Sequence, residues 1–136
     1  MKAEPRFISA EETAAVIQGA LAFGDEPSAI RHLTEAVSRI IQAPGHVTIP
    51  RVVLEAPQPV TDPRYATLIA TAFAHAMLSR GEVPLPWMTE AKPLVTEWLW
   101  GGDGASNEFR DFIRSQTPEI FRAKNILTRE RDWRSL

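Results

Sequence analysis

Cysteine is absent from the 136 residues. No disulfide can form, and the chain has neither a thiolate nucleophile nor a cysteine zinc site. No stretch approaches the roughly 18 consecutive apolar residues of a membrane span. The segment Met1-Lys2-Ala3-Glu4-Pro5-Arg6 leads into an acidic helical pattern and holds no apolar run of signal-peptide type. These features give the expectation of a cytoplasmic protein that does not associate with membranes.

Catalytic motifs are equally scarce. His32, His46 and His75 stand in neither H-x-x-x-H nor H-E-x-x-H spacing, so no metal site is expected of them. His75, one position off an apolar helix face, reads as a boundary or surface histidine. Asp-x-Asp, which would hold magnesium for nucleotidyl transfer, does not occur. The adjacent acids Glu11-Glu12 and Asp25-Glu26 lie at helix starts, where they complement the helix dipole. Gly-x-Ser-x-Gly is missing too, and Ser106 reads as a helix cap. Gly101-Gly102-Asp103-Gly104 lacks the Gly-Lys-Ser/Thr that completes a phosphate loop, and reads as a hinge. No catalytic residue, cofactor or metal ligand is assigned.

What the chain does contain is ordinary globular material: 44% apolar and 24% charged residues, with eleven prolines in clusters. Proline at that frequency cuts a chain into short elements. Ser9 can cap a first helix, with Glu12 completing a capping box. Val16, Ile17, Ala20 and Leu21 follow on one face, and Gly24 ends it. Asp25 and Pro27 open a second helix with an apolar stripe of Ile30, Leu33, Val37, Ile40 and Ile41, stopped by Pro44-Gly45. Val52-Val53-Leu54 is either a short strand or a turn of helix. Asp62 and Pro63 start the clearest helix, with Tyr65, Ile69, Ala72, Phe73, Ala76 and Met77 on one face and Gly81 at its end.

Beyond it, Val83 to Met88 reads as an extended crossing. Thr89 is expected to cap a short helix carrying Leu94, Trp98 and Trp100. Ser106 starts a helix with Phe109, Phe112 and Ile113 inward, Thr117-Pro118-Glu119 a short turn with Ile120 and Phe121. Asn125-Ile126-Leu127 reads as extended, and Thr128 as the cap of a final helix carrying Trp133. The expected fold is all-α, a compact bundle of about five to six short-to-medium helices forming a single domain over 1–136. It has an N-terminal arm at 1–8 and proline-rich connections at 44–61 and 82–93.

Charge and aromatics are unevenly placed. Net charge is −2, but residues 110–136 hold seven basic and four acidic side chains, a local +3, which leaves −5 for the rest. An acidic body with a basic end suggests an electrostatic docking surface, or else a solvated face of mixed charge. Trp87, Trp98, Trp100 and Trp133 lie in the same last fifty residues as Phe109, Phe112 and Phe121, interleaved with arginines. Tryptophan and arginine are favoured at binding hot spots and on single-strand stacking platforms, while aromatic bulk also fills the cores of small proteins.

The order of features resembles the region that follows the helix-turn-helix in actinobacterial Xre-type regulators and putative antitoxins encoded beside toxins. The matching segments are Gly19 to Glu26, the helix after it, Thr61-Asp62-Pro63-Arg64-Tyr65, Pro86-Trp87, Glu97-Trp98 and Thr117-Pro118-Glu119-Ile120-Phe121-Arg122-Ala123-Lys124-Asn125-Ile126. The last is the most specific. A helix-turn-helix is not found in this sequence, so operator binding by the chain alone is not expected. The resemblance implies the partner-binding half of such a system, neutralising or regulating a cognate toxin by direct contact, with no catalytic residue to carry over. Candidate contacts in the C-terminal segment are Trp98, Trp100, Arg122, Lys124, Asn125 and Trp133. A nucleic-acid-binding accessory module using the basic aromatic segment is the alternative, an enzyme with dispersed carboxylates the third reading. Homo-oligomerisation is compatible with all three.

Overall fold

A computed structural model describes residues 6–100, 102 and 104–134. The chain is mostly helical, as expected. Four helices supply most of it: α1 (Ala10–Ala22), α2 (Glu26–Gln42), α4 (Pro63–Ser79) and α6 (Asn107–Gln116). Single turns α3 (Arg51–Leu54), α5 (Pro86–Thr89) and α7 (Glu119–Arg122) lie between them, and a 3₁₀ turn covers Glu130–Trp133. Strands β1 (Trp98–Leu99) and β2 (Ile126–Leu127) form a small parallel pair.

Local chemistry sets the starts of the long helices. The hydroxyl of Ser9 accepts the Glu12 N–H, and the Asp25 carboxylate accepts both the N–H and the hydroxyl of Ser28. Asp62 accepts the Arg64 N–H and Ser106 the Phe109 N–H. Each satisfies a donor the helix would otherwise leave unpaired. Gly24 sits at φ +71°, and the Asp25 N–H reaches back 2.8 Å to the Ala20 carbonyl. That left-handed cap folds α2 back against α1 with almost no linker.

α4 is the centre of the core. Residues from Tyr65 to Met77 are buried almost all round, Ala66 being half-buried. Such a helix is enclosed by neighbours. Ala70, Ala72, Ala74 and Ala76 keep its surface low, so α1, α2, α5 and α7 all pack against it. His75 is therefore buried and not at the boundary the sequence suggested. Thr67 and Thr71 are buried as well, their hydroxyls donating to the carbonyls of Lys92 and Thr67.

Arg80 closes the other end of α2. Its guanidinium, only 8% exposed, donates to the carbonyls of Ile40, Ala43, Pro44 and Val47 and meets Glu82 at 3.4 Å. The Ile40 and Pro44 carbonyls also accept the N–H groups of Ala43 and Val47, and Arg80 supplies the donors for the carbonyls of Ala43 and Val47 beyond the end of α2.

The 44–61 connection holds α3, which resolves Val52-Val53-Leu54 as a helical turn. The Trp87 indole N–H donates to the Leu54 carbonyl at 2.9 Å and ties that turn to α5. In the N-terminal arm, Phe7 and Ile8 pack on the core; residues 1–5 lie outside the described part of the chain.

Two expectations fail between Thr89 and Trp100. The crossing from Val83 becomes helical at Pro86, and Thr89 ends that turn, its hydroxyl donating to the Pro86 carbonyl. Leu94, Trp98 and Trp100 are then not helical, because their backbone bonds to the segment around Lys124 in place of itself. The Leu94 N–H donates to the Lys124 carbonyl, the Trp98 N–H to Asn125, and Trp98 pairs with Ile126. Pro93 also cannot donate within a helix.

Candidate protein-interaction site

The C-terminal third is built on an aromatic stack. Trp133 lies between Trp100 (ring centroids 4.7 Å apart, planes within 6°) and Phe121 (5.3 Å, 7°), and His75 tilts against Phe121 at 5.2 Å. Trp98 meets Tyr65 edge-on at 5.3 Å, and the Arg64 guanidinium lies 4.8 Å from the Trp98 ring. Arg64 is held there by Asp62 at 3.1 Å and Glu26 at 3.8 Å. The Tyr65 hydroxyl donates to Glu26 at 3.0 Å; burial and the Glu26 carboxylate push its pKa well above the ordinary range.

This arrangement decides where the six sequence-derived contact residues lie. Trp133 has no exposed surface, and Trp98 and Trp100 are 8% and 9% exposed. Their rings fill the core, so a partner would meet only edges of Trp98 and Trp100 and nothing of Trp133. The Lys124 ammonium donates to the carbonyls of Thr89 and Ala91, and the Asn125 side-chain amide to that of Leu94. Asn125 also takes φ +63°, which asparagine tolerates better than most residues. The 117–126 segment thus stitches 89–98 to 122–127. Arg122 alone carries its charged group on the surface, 49% exposed and 2.6 Å from Glu119.

The exposed aromatic surface lies on α6. Phe109 is 45% and Phe112 51% exposed, while Ile113 is buried. Both phenylalanines were expected inward. The reason is the narrow footing of α6, whose inner side rests on a small cluster of Leu99, Ile113 and Leu127. One residue of the helix fills that space, and the two phenylalanines flank it. Arg114 holds α6 to Glu97 with a two-pronged ion pair, which keeps the Glu97 carboxyl below its usual pKa. Gly102 accepts the Ala105 N–H in the turn before α6, and a side chain there would strike Leu99. Gly101 and Asp103 of the glycine run lie outside the described residues.

Between α6, α2 and the 3₁₀ turn runs an open groove of about 470 Å³. It is lined by Ile30 and Thr34 of α2, by Phe109 and Ile113 of α6, by the buried Leu99 and Trp100, and by Arg129 and Arg131. Asp132 also borders it, but its carboxylate accepts from the Thr128 hydroxyl and the Arg129 N–H and lies 3.7 Å from the Arg129 guanidinium. Arg131 is exposed, and its side chain has no hydrogen bond or ion pair among the described residues. Among the described residues, the groove therefore combines apolar lining with a cation that no acidic side chain pairs. Nothing in the sequence pattern announced it, because its lining is gathered from positions between 30 and 132 of the chain.

A second hollow of about 270 Å³ lies under Pro57 and Pro59, beside Ala14, Ala70 and Trp87; no titratable side chain lines it. No group of three or more potential metal ligands comes together among the described residues. No described helix is long and apolar enough to cross a membrane. No protein-family model, curated protein or solved structure matches the chain.

Proposed function

We propose that this chain is a non-catalytic binding protein of the antitoxin type, holding a cognate toxin by direct contact in the cytoplasm. The observation that carries the binding reading is the pair Phe109 and Phe112, exposed about one turn apart on α6 beside a groove with a free arginine. Large apolar side chains rimmed by polar groups mark interaction surfaces. Aromatic and arginine side chains are also the types that dominate binding energy. The toxin as partner rests on the resemblance of residues 117–126 and of the segments before them.

The contact surface differs from the one expected from sequence. It centres on Phe109, Phe112 and Arg131, with Arg122 as an outlying cation, and leaves Trp133, Lys124 and Asn125 to hold the scaffold. A stable complex covers about 800 Å² on each side, which α6 and the groove can share.

The test is co-purification of the tagged chain with the protein encoded beside it, compared with Phe112→Asp and Arg131→Glu. Stoichiometric binding by the native chain, weakened at least about tenfold in each variant, is the expected result. Unchanged binding by both variants would move the surface elsewhere. Recovery of nucleic acid with a steep salt dependence would favour the accessory-module reading instead.

A further inference from the structure

Two arginines line the groove between α2 and α6, and most of their hydrogen-bond donors are unspent. The exposed Arg131 side chain has no carboxylate beside it among the described residues. The Arg129 guanidinium lies 3.7 Å from Asp132, beyond hydrogen-bond reach, and its Nε is buried with no partner. Buried donors in folded proteins are nearly always paired, so the polar network of the groove is incomplete. What it lacks is an acceptor of negative charge, and the planar fork of a guanidinium matches a carboxylate or a phosphate.

The remaining lining decides between those two. Two arginines against one aspartate leave the groove a single net positive charge, which one carboxylate neutralises. A nucleic-acid strand brings a phosphate with every nucleotide and needs a basic track to follow, whereas the whole chain carries −2. Ile30, Leu99, Trp100, Phe109 and Ile113 make the rest of the surface apolar. A small inorganic anion would leave that surface wet, while an apolar side chain next to the anionic group would cover it. The volume of about 470 Å³ suits such a pair of side chains, since drug-sized ligands occupy sites of roughly 300–1,000 Å³.

We propose that the groove takes a short segment of a protein partner in which an aspartate or glutamate stands close to an aromatic or large aliphatic residue. The carboxylate sits on Arg131 and the outer nitrogens of Arg129, and the apolar side chain lies against Phe109 and Ile30. The assignment rests on the reading of the groove as a docking surface and names what that surface recognises.

The experiment is selection of a random peptide library on the purified full chain, followed by fluorescence anisotropy with the enriched peptides made synthetically. Enriched sequences should carry an acid close to a large apolar residue. Replacing that acid by its amide, or using the Arg131→Glu chain, should raise the dissociation constant at least about tenfold. A lysine in place of the acid should restore binding to Arg131→Glu. Far-UV circular dichroism of the variant should match the native chain, since Arg131 is exposed.

Enriched peptides without an acid, peptides that bind Arg131→Glu as tightly as the native chain, or no enrichment at all would overturn the proposal. Displacement of the peptides by a single-stranded oligonucleotide of equal affinity would assign the groove to nucleic acid instead. The toxin reading is tested apart from this one. Acidic peptides that bind as expected, with no co-purification of the neighbouring protein, would sink the toxin alone. Co-purification that responds to Phe112→Asp but not to Arg131→Glu would sink the acidic segment alone.

Discussion

The Nε2 of His75 lies 2.7 Å from a carboxylate oxygen of Glu130, joining the centre of α4 to the 3₁₀ turn near the end of the chain. Glu130 in turn holds Arg134. One buried imidazole thus anchors the segment that carries Trp133 into the core. Phe121 covers its face.

That contact makes stability depend on pH in a defined direction. Burial lowers the pKa of His75 from its ordinary 6.5, with Glu130 opposing and Arg134 adding slightly. The unfolded chain therefore binds the proton first as pH falls. Stability is full above about pH 7 and is lost as pH drops through 6.5 toward the folded pKa. Glu97, Asp62 and Asp25 are all lowered carboxylates, so their contributions disappear only further down, below about pH 5. Thermal melts at closely spaced pH should show a decline between pH 7 and the carboxylate range. His75→Gln should flatten that decline, and an unchanged slope would remove His75 as its source.

Arg80 is a structural cation. Replacing it with alanine takes the side-chain donors from the part-buried carbonyls of Ala43 and Val47, and a second donor from those of Ile40 and Pro44. Unpaired buried groups cost about 1–3 kcal/mol each before relaxation. The expected loss for Arg80→Ala is about 3 kcal/mol in urea unfolding, a large share of a small domain's stability. Arg80→Lys should recover only part, because an ammonium has three donors and no planar fork. Equal stability of both variants and the native chain would mean water replaces the guanidinium.

These two residues also mark where sequence reading stops. The caps at Ser9, Asp25, Asp62 and Ser106 were legible because each acts within three residues. Arg80 bonds to Ala43, 37 residues away, and no local pattern signals that. The pairing of Trp98 with Ile126 is likewise long-range, and it overrode the helix expected after Thr89. On α6 the periodicity of Phe109, Phe112 and Ile113 indicated a helix but not which side faces in. The choice depends on the space left by Leu99 and Leu127, which come from the two strands.

Asn125 tests whether the 117–126 segment is scaffold. Asn125→Gly keeps the left-handed backbone free of strain and removes only the amide bond to Leu94, a loss of about 1 kcal/mol. Asn125→Ala adds the cost of φ +63° for a side chain with a Cβ, for a total of about 2–3 kcal/mol. The ranking native, then glycine, then alanine in denaturant midpoint is the expected signature. A glycine variant as unstable as alanine would show that the amide bond, not the backbone, dominates.

Ile113 and Phe112 are neighbours on α6 with opposite assignments, so the same helix separates folding from binding. Ile113 is 3% exposed and rests on Leu99 and Leu127; truncation to alanine should cost about 2–4 kcal/mol. Phe112 is half-exposed, and Phe112→Asp should change stability by only about 0.5 kcal/mol. Partner affinity should show the reverse order once each variant is measured at a temperature where it is folded. Phe112→Asp should lose at least about tenfold, more than folded Ile113→Ala, whose side chain is 3% exposed. If Phe112→Asp instead destabilised the chain as much as Ile113→Ala, the outward placement of that face would be wrong. The docking surface would then have to be sought around Arg122.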